Sequence, residues 1–130
     1  MKKIMVFLSV AIFIIAVLAF AVEVKKPELR PLQIIMQARL AWLTAMNKNL
    51  GAGNFPAIVK DADGLAAQTK KIGDAVANPL AKEITLTVSV LANEASAAAA
   101  KKDAGTVKVK LGAIKAKCDE CHAKIRDKKK

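Results

Sequence analysis

Four stretches of the chain repeat apolar residues at helical spacing, and each is closed by residues that break a helix. In the first, between Pro27 or Pro31 and Leu50, Leu29, Leu32, Met36, Leu43, Met46 and Leu50 share one face. Arg39 interrupts that face, and Gly51-Ala52-Gly53 ends the stretch. Asn54 is placed to cap a second helix bearing Phe55, Ile58, Ala62, Leu65, Thr69 and Ile72, with a costly Gly64 inside and Gly73 closing it. Asn78 before Pro79 reads as the cap and first residue of a third, whose stripe is Leu80, Ile84, Thr87, Leu91, Ala95 and Ala98. After a break from Lys101 to Gly105, Thr106 opens a fourth, with Val107, Leu111, Ile114, Cys118, Cys121 and Ile125 on one face. The β-branched run Thr85 to Val90 sits inside a helical period, so no strand is expected. Short connections favour antiparallel neighbours, and the expected fold is an all-α, up-down-up-down four-helix bundle.

The core of such a bundle is thin. At 130 residues the chain is at most one small domain and too short for a large enzyme core. Its aromatic content is 4%, and three of its four Phe lie between residues 4 and 22. That early segment is apolar apart from Ser9, follows Lys2 and Lys3, and ends in Ala19-Phe20-Ala21, the pattern of a cleaved secretory signal. The expected division is therefore a signal peptide over 1–21 and the bundle domain over 22–130. Ile4 to Val22 also approaches the roughly 20 residues that span a bilayer, so an uncleaved anchor is the competing reading. Either way the remainder is exported, and it stays basic: 22 Lys and Arg face 11 Asp and Glu in the whole chain. An Ala-filled core buries little apolar surface per residue, and a bound apolar cofactor would add usefully to it.

The chemistry is concentrated in Cys118-Asp119-Glu120-Cys121-His122, which holds both Cys and the only His of the chain. C-x-x-C-H is the attachment motif of c-type haem: two thiols add to the vinyl groups and the adjacent imidazole binds iron. Residues 118, 121 and 122 fall on neighbouring positions of a helix surface, so both sulfurs and the imidazole project together, in line with Leu111 and Ile114. Two other readings use the same residues. A thiol-disulfide pair is expected at a helix N-terminus in a βαβ setting, whereas this pair is at a C-terminus. A structural zinc site needs four ligands and this string offers three.

With that motif near the C-terminus, residues 27 to 127 resemble the class II c-type cytochromes, the group of cytochrome c′ and its low-spin, Met-ligated relatives. The tail Cys121-His122-Ala123-Lys124-Ile125-Arg126 is similar to the family's Cys-His followed by two variable residues, an apolar residue and Arg. The resemblance implies a bundle with one covalent haem at one end and His122 as proximal iron ligand. It implies a non-enzymatic, periplasmic bacterial protein that carries single electrons or, with an open distal side, binds gases such as nitric oxide. Antiparallel homodimers are common in the family. One position departs from its pattern, since the Arg often found four residues before the Met is Leu32 here.

Bundle geometry points to a distal ligand independently. The first helix runs antiparallel to the fourth, so its N-terminal turns lie beside the haem end, and Met36 is in those turns. Met46 is ten residues on, about 15 Å along the axis, and too far. Met36 is thus the expected distal ligand, with an open site or plain core filling as alternatives. Arg39 is expected to snorkel, or else to pair a haem propionate, for which Lys25, Lys26 and Arg30 are also available. Trp42 is expected to pack. Lys115, Lys117, Lys124, Arg126 and Lys128 to Lys130 either complement the helix dipole or form a basic rim that steers an acidic redox partner. Nucleic acid is an unsuitable partner for an exported chain without stacking aromatics, and a membrane is involved only if the leader stays attached.

Overall fold

The computed structural model describes residues 31–126. The expected signal segment, Leu29, Lys25, Lys26, Arg30 and the terminal lysines lie outside the described residues. Four helices follow in order: α1 (Pro31–Ala52), α2 (Phe55–Ala75), α3 (Pro79–Ala100) and α4 (Ala104–Cys121). A π-helical turn, His122–Arg126, continues α4. Each helix packs on the next and α1 also packs on α4, which closes an all-α four-helix bundle of up-down-up-down topology. Among the described residues no helix is long and apolar enough to cross a membrane.

The turns are set by side chains that satisfy the first free N–H groups of each helix. Asn54 accepts from the Ala57 N–H at 3.3 Å and Asn78 from the Ala81 N–H at 3.0 Å. Between α1 and α2, Gly53 takes a φ of +68°, a conformation open to glycine without steric cost. Two expected boundaries shift. The α3–α4 break covers only Lys101–Asp103, and Asp103, not Thr106, is the cap of α4. Its carboxylate accepts from the Thr106 N–H at 3.0 Å and from the Thr106 hydroxyl at 2.6 Å, so Thr106 is already the third helical residue. Gly73 does not end α2, which runs on to Ala75.

Gly73 is instead a packing residue. A Cβ there would come within 2.7 Å of Leu86 Cδ2, so its absence lets α2 and α3 approach closely. Gly64 does the same for α1, because a Cβ would stand 3.2 Å from the Trp42 ring. Trp42 packs against the core, as expected. The core itself is built from Met46, Ile58, Leu65, Val107, Leu111 and Ile114, with alanines filling the gaps. On α3 the buried arc differs from the expected stripe: Thr85, Val88, Ser89, Ala92, Ser96 and Ala99 are buried beside Ile84, Ala95 and Ala98, whereas Leu80 is exposed and Thr87 and Leu91 are half-buried. This follows from α3 lying between α2 and α4. Ser89 makes the inward polar position tolerable by donating to the Ala66 carbonyl of α2 at 2.8 Å. On α1, by contrast, the expected core residue Leu32 is 63% exposed.

Candidate functional site

The inner stripe of α4, Val107, Leu111 and Ile114, leads directly into Cys118, which packs against the core. Cys118 and Cys121 are both free thiols, half-buried, one turn apart. His122, also half-buried, follows where the α-helix gives way to the π turn, and its backbone N–H bonds the carbonyls of Cys118 and Asp119. A wider turn of this kind is rare and is often found where a helix carries function. The three groups are thus shielded on one side by the bundle and reachable on the other.

Burial pushes both thiols up from their ordinary range, and the nearby Arg39 charge only partly opposes it. Thiol exchange needs the thiolate, so these surroundings do not activate the pair for it. Their position at the C-terminus of α4 adds the unfavourable end of the helix dipole.

Across from the motif stands α1, whose Arg39 guanidinium acts electrostatically on both Cys118 and Cys121. Arg39 does not snorkel. Its Nε donates to Gln68 Oε1 of α2 at 3.0 Å, and its Nη2 is buried with no hydrogen-bond partner. The desolvation this entails lowers the Arg39 pKa, with the two thiols opposing. Gln68 carries no signal in the sequence beyond being a polar residue beside Thr69 on the inward side of α2. Met36 lies one turn before Arg39 and is half-buried, whereas Met46 is 0% exposed within the core.

Three of the basic residues around the motif, Lys115, Lys117 and Lys124, are ion-paired. Lys115 pairs Asp119 at 2.7 Å, and Glu120 pairs both Lys117 at 2.7 Å and Lys124 at 2.6 Å. Hydrogen bonds from Lys117 and then Lys124 hold the Glu120 carboxyl at about 2. The two acidic residues within the C-x-x-C spacing therefore offset much of the positive charge expected there. The chain matches no protein-family model, no curated protein and no solved structure.

Proposed function

We propose that this chain is a monohaem c-type cytochrome, exported to the periplasm by its leader, that carries one electron at a time. The observation that carries the reading is the grouping at the end of α4: two free, half-buried thiols one turn apart with an imidazole beside them, facing the Arg39 turn of α1. This donor set fits a covalently attached porphyrin. Cys118 and Cys121 would each hold it by adding Sγ–H across a vinyl double bond, sulfur to the carbon next to the ring and hydrogen to the terminal carbon, with no electrons gained or lost. The bound haem supplies an iron that passes between ferric and ferrous states.

The chain's own residues do the rest. Cys118 and Cys121 would anchor the group, and His122 and Met36 would offer it a nitrogen and a thioether as iron ligands. A Met ligand raises the reduction potential and suits electron carriage. Ile114, Leu111 and the alanine-lined core exclude water beneath the site. The net charge of +11 favours an acidic redox partner through long-range attraction.

The test is purification from a host that matures c-type cytochromes, with haem staining after denaturation and visible spectra of both oxidation states. Haem that survives denaturation, together with a Met-to-ferric-iron charge-transfer band, is the expected result. Covalent haem with a high-spin ferric spectrum would overturn the Met36 ligation and replace electron carriage by gas binding. Protein without covalent haem would overturn the whole reading.

A further inference from the structure

Arg39 holds a charge that the described part of the chain leaves incompletely satisfied. Its Nε is taken by Gln68 Oε1 at 3.0 Å, yet its Nη2 is sealed from water without an acceptor. Buried guanidinium groups are retained where their paired N–H donors meet a planar anion, and a carboxylate fits that fork best. The carboxylates of the adjacent motif cannot serve, since Asp119 is held by Lys115 and Glu120 by Lys117 and Lys124. The ionisable groups of α4 near Arg39 are the thiols Cys118 and Cys121, which burial keeps protonated, and its partner on α2, Gln68, is neutral. Once alkylated, those sulfurs would be neutral thioethers and leave the guanidinium without even a latent negative partner.

Resting on the haem reading above, we infer that Arg39, oriented by Gln68, is a carboxylate clamp that takes one propionate of the haem attached at Cys118 and Cys121. The Arg that the resemblance places four residues before Met36 is an exposed Leu32 in this chain. Arg39, on the other side of Met36, is the arginine held from a second helix. Pairing keeps the propionate ionised and offsets its charge, which favours the ferrous state.

The experiment uses the haem-loaded protein and measures midpoint potential against pH, from mildly acidic to neutral, together with the propionate bending band in resonance Raman. The wild type is expected to show a level potential. Arg39→Gln is expected to shift the ferric-to-ferrous equilibrium about tenfold towards ferric, about 59 mV for one electron, to introduce a new titration in that range, and to move the bending band. Gln68→Leu, which leaves the charge but removes its orienting bond, is expected to move the band in the same direction by less. If both variants carry covalent haem but keep the wild-type profile and band, the clamp is wrong and the haem reading stands. If the wild type itself carries no covalent haem, the staining shows that the underlying reading has failed.

Discussion

The two methionines of α1 separate packing from the ligation proposed above. Met46 is 0% exposed and embedded with Ile58, Leu65 and Leu111. Truncation to Ala deletes most of a buried side chain and leaves a cavity that alanine-rich neighbours cannot fill, at a cost of about 2–5 kcal/mol. Met46→Leu keeps the volume and costs less than about 1.5 kcal/mol. Neither change reaches the position proposed for ligation, because residues 36 and 46 are about 15 Å apart along the helix. Met36 is half-buried, and Met36→Ala is expected to abolish the Met-to-ferric-iron band and convert the ferric spectrum to high spin. Urea unfolding with unchanged slope gives the stability of each variant, and the ferric spectrum gives its ligation. The reasoning is refuted if folded Met46→Ala loses the band while Met36→Ala keeps it. A cost below about 1 kcal/mol for Met46→Ala would show that the core is not packed as described.

Other outcomes follow from single positions. Gly112 is exposed on α4, where a Cβ meets nothing within 4 Å, so Gly112→Ala should stabilise by about 1 kcal/mol. Gly73→Ala should instead destabilise, since overpacking against Leu86 at 2.7 Å outweighs the gain in helix propensity; thermal melts of opposite sign check the pair. The Thr106 hydroxyl and backbone N–H hold the Asp103 carboxyl below the usual carboxylate range. A depressed folded pKa contributes stability above the unfolded value that is lost as pH falls through the folded one, so the melting temperature of Asp103→Asn should depend less on acid pH than the wild type's. On the proposed haem attachment, Cys118→Ser and Cys121→Ser should each retain haem through one thioether, and only the double variant should release it to acidified organic solvent; release from either single variant would argue against two attachment points.

The helices were legible because their ends carry local chemistry. Asn54 and Asn78-Pro79 announce starts that the structure keeps. Asp103 was hidden because Lys101 to Gly105 looks like one continuous break, and only the hydrogen bonds to Thr106 show where the helix begins. Periodicity finds one face, so it located the α4 stripe but underestimated α3, which is buried against two neighbours by Ser, Thr and Ala. It also placed Leu32 inside, although among the described residues it is exposed at the start of α1. The C-x-x-C-H string is visible at once, while the Arg39–Gln68 bond joins residues from different helices and leaves no spacing to read. The Glu120 bridge to Lys117 and Lys124 follows helical spacing and could have been read from the sequence.

The closure of α1 onto α4 bears on the order in which the molecule assembles. Contacts of α1 with α2, α2 with α3 and α3 with α4 join consecutive helices across short turns, the kind of local topology that forms quickly. The α1–α4 seam alone joins the two ends of the described chain, and it pays the largest loop-closure entropy. Cys118, Cys121 and Arg39 all belong to that seam. Contact order favours this seam forming after the three local interfaces, which would leave the thiols accessible to covalent modification until it closes, while Arg39 already meets Gln68 across the α1–α2 interface.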